Sequence, residues 1–317
     1  MLDIALVGTG GFMPAHNRYL TAMLARLGGR MLLIDCGEGT QMTLRRVGWG
    51  FKDIDVICIT HFHADHIAGL PGLLLTMGNS GRTEPVTLVG PKGIRDVASH
   101  LCVIAPLPFD ARFIELSPKN GAVVDFHAGG RAGGHAEGHG SGFNLSAMAL
   151  NHHTPCLGYS LTVPRAGRFD ADKAKGLGLP LFNWSKLQKG ESVEHEGRSY
   201  TPDMVMGPAR KGLKVAYITD TRPSDAIPDF IRGADLFIAE GLYGDDEMLS
   251  QAKQKRHMIF SEAAALAREG GVGELWLTHY SPAMPDPGSY VHVAQRIFPN
   301  AKAGFDRMHT TLRFQEE

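Results

Sequence analysis

Six consecutive residues, His61-Phe62-His63-Ala64-Asp65-His66, hold four potential metal ligands. Imidazole nitrogen and carboxylate oxygen together suit zinc, with manganese or iron as substitutes. The run follows a short apolar stretch at 56–59 and precedes a helical pattern at 67–77. Strand side chains alternate with period two, so His61 and His63 point to one side, and the turn into the helix aims Asp65 and His66 at a second point nearby. A lone histidine is ordinarily a solvated residue or a satisfied core residue. Three histidines and an aspartate in this packing are different, because four desolvated polar groups need a common partner.

Four such ligands would saturate one ion, whereas a catalytic centre keeps a position open. Ligands for a second ion are therefore expected at other strand ends. Asp220 follows the apolar run 214–219, His279 follows 274–278, and His152 and His153 follow 145–150. Each stands where α/β sheets build their sites. Singly, Asp220 could cap the turn at Thr221-Arg222-Pro223 and His279 could be a surface histidine. Their recurrence at three strand ends favours one shared centre.

The elements that must position these residues alternate. Runs at 4–7, 31–34, 56–59, 86–89, 214–219, 235–239 and 274–278 predict buried strands. Stretches at 38–47, 67–77 and 260–268 predict helices, the first with Glu38 at its start and Arg45-Arg46 at its end, matching the helix dipole. Such alternation indicates the α/β class. Two segments break the rhythm. Residues 126–142, nearly all Gly, Ala and His (His127, His135, His139), read as a mobile surface loop. Residues 163–212 are polar, with Trp184 and Tyr200 as the main aromatics, and a segment of that length is uncommon as mere loop. One domain over 1–317 with an inserted arm at 163–212 is the expected organisation.

Composition bounds the function. At 317 residues, 43% hydrophobic and 21% charged, the chain is globular rather than disordered or coiled coil. It has no apolar run of transmembrane length, and Met1-Leu2-Asp3-Ile4 lacks the marks of a signal peptide. Four scattered cysteines (Cys36, Cys58, Cys102, Cys156) without a C-x-x-C pair suit a reducing, cytoplasmic setting. The 32 Lys and Arg against 33 Asp and Glu leave a net charge of −1, which excludes a protein that coats nucleic acid through overall basicity. Any nucleic-acid contact must use a local patch. One is present: Arg165, Arg168, Lys173, Lys175, Lys186 and Lys189 stand against Asp170 and Asp172. Such charge supports phosphate docking, although it is commonly just a solvated face.

With these residues in view, the sequence resembles the ribonuclease Z family, tRNA 3′-processing endoribonucleases of the metallo-β-lactamase superfamily. The carrying segments are Gly8-Thr9-Gly10-Gly11, Asp35-Cys36-Gly37-Glu38-Gly39-Thr40-Gln41, the 60–66 run with Gly69-Leu70-Pro71-Gly72-Leu73-Leu74, and Gly90-Pro91-Lys92-Gly93. His152-His153-Thr154-Pro155 with Gly158-Tyr159, Asp220-Thr221-Arg222-Pro223 and Thr278-His279-Tyr280-Ser281 follow in family order. The chain departs from the family's usual run at Met258-Ile259, after His279, and at the arm tip Leu179-Pro180-Leu181-Phe182-Asn183-Trp184.

The resemblance implies an αββα metallo-β-lactamase sandwich, two mixed sheets flanked by helices with an inserted arm. It implies two zinc ions per chain: His61, His63 and His152 for one, Asp65, His66 and His279 for the other, and Asp220 bridging. His152 is preferred to His153 because the family ligand stands three residues before the proline. Asp35 matches a residue that holds a ligand histidine in one tautomer. The implied reaction is in-line attack of metal-activated hydroxide on phosphorus, removing the 3′ trailer of precursor tRNA and leaving a 3′-hydroxyl. Asp65 would orient the nucleophile or take its proton, and His257 would be the acid at the leaving oxygen. Arg18, in Pro14-Ala15-His16-Asn17-Arg18, matches a loop that senses the trimmed 3′ end. A homodimer is implied, with one subunit's arm steadying RNA cleaved by the other. The competing expectation is a small-molecule hydrolase of the same fold, acting on a phosphodiester, sulfate ester or lactone, because loops around the metals set the chemistry.

Overall fold

Short apolar runs become strands, and two seven-stranded sheets collect nearly all of them in the computed structural model. The structure describes residues 1–104, 106–119, 121–129 and 143–315. The first sheet takes β1 (Leu2–Gly8), β2 (Ala22–Leu27), β3 (Arg30–Ile34), β4 (Ile54–Cys58), β5 (Val86–Pro91), β6 (Ala111–Leu116) and, from the end of the chain, β16 (His309–Leu312). Its order is β16-β1-β2-β3-β4-β5-β6. The second takes β7 (Val123–Ala128), β8 (Phe143–Leu150), β9 (Cys156–Arg165), β12 (Arg210–Ile218), β13 (Leu236–Glu240), β14 (Leu275–Thr278) and β15 (Ala301–Ala303), in the order β15-β14-β13-β12-β9-β8-β7. Both sheets are mixed, with parallel pairs such as β3–β4 and β12–β13 beside antiparallel pairs such as β1–β2 and β8–β9.

Period two explains the layering. Along β4, Val56 and Cys58 enter the core between the sheets while Ile57 faces the outer layer, and a register shift between Ile54 and Val56 turns Ile54 outward as well. Along β12, Val215 and Tyr217 point inward and Ala216 and Ile218 outward. Helices α1 (Thr40–Val47), α2 (Ala64–Ile67), α3 (Leu70–Asn79) and α4 (Ile94–Leu101) accompany the first sheet; Leu44, Leu73, Met77 and Ile94 cover its outer face. Helices α7 (Ala226–Ile231), α8 (Leu249–Lys255), α9 (Phe260–Gly270) and α10 (Val291–Gln295) accompany the second; Ile231, Phe260 and Ala264 cover its outer face. The central strands are thus buried on both faces, at about 1.5–3 kcal/mol per large apolar side chain removed from water, while the edge strands β6, β7 and β16 stay partly exposed. Among the described residues, no helix is long and apolar enough to cross a membrane.

Two expectations need correction, and one strand stands where none is predicted. The predicted helix at 67–77 divides into α2 and α3 at Gly69, where an added Cβ would lie 2.1 Å from the Gly37 carbonyl oxygen, so the backbones touch there. The predicted loop at 126–142 begins as strand, because Phe126, His127 and Ala128 complete β7 against β8. His135 and His139 lie outside the described residues. Strand β9 went unread in the sequence, since Gly158, Ser160 and Thr162 interrupt its apolar pattern, yet residues 156–161 are buried at the sheet's centre.

β9 and β12 are antiparallel neighbours, with Arg165 opposite Arg210 and Val163 opposite Leu213. Residues 166–209 therefore stand where a hairpin turn would close, and 163–165 and 210–212 adjoin or join the ladder. The excursion holds α5 (Ala171–Gly176), α6 (Leu181–Gln188) and a hairpin of β10 (Val193–His195) with β11 (Arg198–Tyr200). Asp170 caps α5 by accepting from the amides of Asp172 and Lys173. Ala174, Leu179, Leu187, Val193, Tyr200 and Val205, with Phe169 and Trp184, form a small separate core.

Candidate metal centre

The strands that carry the candidate ligands end at one edge of the sandwich. His61 and His63 follow β4, His152 follows β8, Asp220 follows β12, and His279 follows β14. In the first group, His61 Nε2 lies 2.9 Å from His63 Nδ1, which lies 3.4 Å from His152 Nε2. Asp220 Oδ2 is 3.5 Å from His61 Nε2 and 3.8 Å from His152 Nε2. In the second group, His66 Nε2 and His279 Nε2 are 3.1 Å apart, with Asp65 Oδ2 at 3.6 and 3.3 Å from them. Asp220 Oδ1 lies 3.3 Å from His66 Nε2 and 3.2 Å from His279 Nε2. Each oxygen of Asp220 thus faces one group. Tetrahedral zinc with bonds of about 2.0–2.2 Å sets neighbouring donors roughly 3.3–3.6 Å apart, so the donor set fits such ions. All seven residues except His63 are buried, and ring nitrogens converging this closely with carboxylate oxygens suit a shared cation.

Electrostatics point the same way. Burial works against the charge of Asp220, yet His279, His66 and His61 hold its carboxyl well below the usual range. Asp65 is likewise held low by His279 and His66 against burial. Burial and the neighbouring His66 push His61 down to about 2, and burial outweighs Asp220 in taking His152 to about 4. Burial thus favours the neutral imidazole at His61 and His152 while the carboxylates favour their ionised form, the states that ligation uses. His66 is the exception: against burial, Asp220 and Asp35 hold its imidazolium well above the usual range, so the carboxylates demand positive charge at this point.

The surroundings fix the ligands. Asp35 Oδ2 lies 2.8 Å from His66 Nδ1, and Asp35 Oδ1 accepts the Thr60 amide at 2.8 Å. His66 Nδ1–H thereby donates to Asp35, leaving Nε2 for the centre. The Phe12 amide donates to Asp65 Oδ2 at 2.7 Å. Among the described residues, five of the seven non-glycine positions with positive φ cluster here: Phe12 (66°), Asp35 (60°), Asp220 (49°), Arg256 (56°) and His279 (56°). Each left-handed residue costs about 1–2 kcal/mol, which the packed sheets must offset.

Sequence reasoning missed Glu240. It ends β13, is fully buried, accepts the Thr221 amide at 2.5 Å, and lies 2.7 Å from His257 Nδ1 through Oε2. Against burial, Glu240 raises His257 to about 9. His257 Nε2 is 3.9 Å from Asp220 Oδ2, so this imidazolium borders the centre. The available signal was position, since Glu240 is one more polar residue where an apolar strand stops.

Other candidates fall outside the two groups. His153 is exposed and packs on the His152 ring, and His127 pairs with Asn144. Arg18 lines a neighbouring pocket of about 390 Å³ with Thr9, His16 and Asn17. Its guanidinium donates to the carbonyls of Ser281, Met284 and Pro285, pinning the loop after His279.

Gly11 packs directly against His279. A Cβ there would sit 2.6 Å from His279 Cε1 and 2.9 Å from Nδ1, so the ring must move. Gly11→Ala is expected to weaken metal binding by roughly 10- to 100-fold in a chelator competition, the range seen when a ligand's support is lost. Unchanged affinity would show that the ring can shift without consequence.

Comparison with known proteins bears on this geometry. A family model described as a beta-lactamase superfamily domain matches residues 188–280, and one described as Anti-Pycsar protein Apyc1 matches residues 2–98. Ribonuclease Z of Lachnospira eligens is 50% identical over 318 residues, covering 100% of both chains. Ribonuclease Z of Lachnoclostridium phytofermentans is 49% identical over 317 residues, covering 100% of this chain and 99% of that protein. The crystal structure of human tRNase Z, short form (ELAC1), shares the fold, with TM-score 0.68, 24% identity, and coverage of 98% of this chain and 100% of that one. Identity near one half over the full length, on the metallo-β-lactamase sandwich, means that the chain belongs to the ribonuclease Z family.

Proposed function

We propose that this protein is a metal-dependent endoribonuclease that removes the 3′ trailer from precursor tRNA. The observation that carries the reading is Asp220, one carboxylate facing two donor groups, in a chain about half identical to proteins named ribonuclease Z. Zinc, two ions per chain, is the occupant this nitrogen-rich donor set suits best. His61, His63 and His152 would hold one, Asp65, His66 and His279 the other, and Asp220 both. Such a pair supplies charge that activates water near neutral pH and stabilises a phosphodiester under attack.

The chain's own residues do the rest. Asp65, fixed by the Phe12 amide, orients the attacking water and takes its proton. As the bond between phosphorus and the 3′ oxygen breaks, His257 gives that oxygen a proton from Nε2. Glu240 keeps the proton on Nδ1 and favours the imidazolium. The upstream fragment leaves with a 3′-hydroxyl and the downstream one with a 5′-phosphate. The 166–209 arm, with its basic residues, is the surface for docking RNA at a distance from the cut. A cytoplasmic homodimer, one subunit's arm serving the other's centre, completes the reading.

The test is incubation with a precursor tRNA bearing a 3′ trailer, with the cut mapped to the nucleotide. One specific cut at the mature end is expected. An uncut precursor alongside hydrolysis of a small chromogenic phosphodiester would favour the small-molecule hydrolase. Replacing 166–209 with a two-residue turn joins Arg165 to Arg210, already paired across the ladder. That variant is expected to lose about a hundred-fold or more in kcat/KM on precursor, since remote binding energy is used in catalysis, while keeping chromogenic activity. Equal losses on both substrates, or none, would remove the arm's role in docking.

A further inference from the structure

The side chain of Phe12 has no part in the chemistry above, yet it stands beside the centre. Its ring centroid is 5.6 Å from that of His257 and 6.2 Å from that of His279, both in edge-on arrangements. Its neighbours in the centre are nearly all buried, while Phe12 is 44% exposed and Met13 beside it 59%. The backbone is held at φ 66°, a conformation that a bulky residue rarely adopts, and its amide is committed to Asp65. The backbone that carries the ring is therefore fixed at the mouth of the centre. The Lys255 ammonium lies 5.1 Å from the ring centroid and donates to the Tyr243 hydroxyl at 3.1 Å.

An exposed aromatic ring with a cation over one face matches an unpaired nucleotide, which offers a flat base to the other face and a phosphate to the cation. We propose that Phe12 is the stacking platform for the base immediately 5′ to the scissile phosphate, with Lys255 beside the adjoining backbone. The inference rests on the ribonuclease reading. His257 serves the leaving 3′ oxygen, that oxygen belongs to the upstream nucleotide, and Phe12 touches the His257 ring. Stacking accepts any base, so Phe12 confers positioning on substrates that differ at this nucleotide.

The experiment measures kcat/KM on two precursor tRNAs, identical except that one carries an abasic nucleotide 5′ to the cut. On the ordinary precursor, Phe12→Leu and Phe12→Gly are expected to lose roughly 5- to 100-fold, the scale of aromatic stacking on a single base, whereas Phe12→Trp retains activity. On the abasic precursor the unaltered protein falls by a similar factor, and Phe12→Leu loses nothing further. Phe12→Gly keeps the amide to Asp65 and suits the left-handed backbone, so equal metal content by elemental analysis excludes unfolding as the cause. Equal losses for Phe12→Leu on both precursors would reduce the ring to packing against His257 and His279 and overturn the proposal. If the unaltered protein cleaves neither RNA, the ribonuclease reading itself fails and takes this inference with it.

Discussion

Asp220→Ala is expected to lower bound metal from two equivalents toward one or none and to cut phosphodiester hydrolysis by roughly 10⁴-fold, about 5.5 kcal/mol of barrier. The reason is geometric. Asp220 Oδ2 lies 3.5 Å from His61 Nε2, and Oδ1 lies 3.3 Å from His66 Nε2 and 3.2 Å from His279 Nε2. No other carboxylate among the described residues faces both groups. Removing it leaves each group one oxygen short and takes away the negative charge that two dications would share. Asp220→Asn is the sharper variant, because asparagine tolerates φ near 49° and keeps the volume while losing the charge. Elemental analysis after gel filtration, paired with kcat on a chromogenic phosphodiester, reads both effects. Two retained equivalents in Asp220→Asn would place the bridge elsewhere.

The sequence exposes the centre more fully than the scaffold that supports it. His61, His63, Asp65 and His66 are visible as a cluster because ligands crowd a single turn, and Asp220 and His279 because each interrupts an apolar run at its end. The layering is harder to read. Strands such as β13, Leu-Phe-Ile-Ala-Glu, are buried on both faces, so their hydrophobicity is continuous and hides which residues meet the other sheet. Glu240 carries the same positional signal at the end of β13, but its role depends on His257, 17 residues on, which only folding brings within 2.7 Å. Phe12 is invisible for a different reason. Its importance lies in a positive φ and an amide aimed at Asp65, which a residue letter does not encode. The α2–α3 break shows the same limit, since Gly69 is demanded by contact with Gly37, remote in sequence.

His257→Ala is expected to lower kcat on precursor tRNA by about 10²- to 10⁴-fold, the range for loss of a positioned general acid. KM and metal content should stay near those of the unaltered protein if His257 acts on the leaving oxygen. The alternative role is ligation, because His257, Asp220 and His279 also bring three donors together. The Glu240 carboxylate, 2.7 Å from His257 Nδ1, suits either role, since Asp35 holds Nδ1 of the ligand candidate His66 in the same way. A leaving group separates the two. A ribose 3′ oxygen departs as a strongly basic alkoxide unless protonated, whereas p-nitrophenolate departs without help. His257→Ala should therefore lose no more than about tenfold on bis(p-nitrophenyl) phosphate while failing on RNA. Glu240→Gln should follow the same pattern with a smaller loss, since its amide oxygen still accepts from Nδ1 but no longer supports the positive charge. Equal losses on both substrates, accompanied by lost metal, would reassign His257 as a ligand.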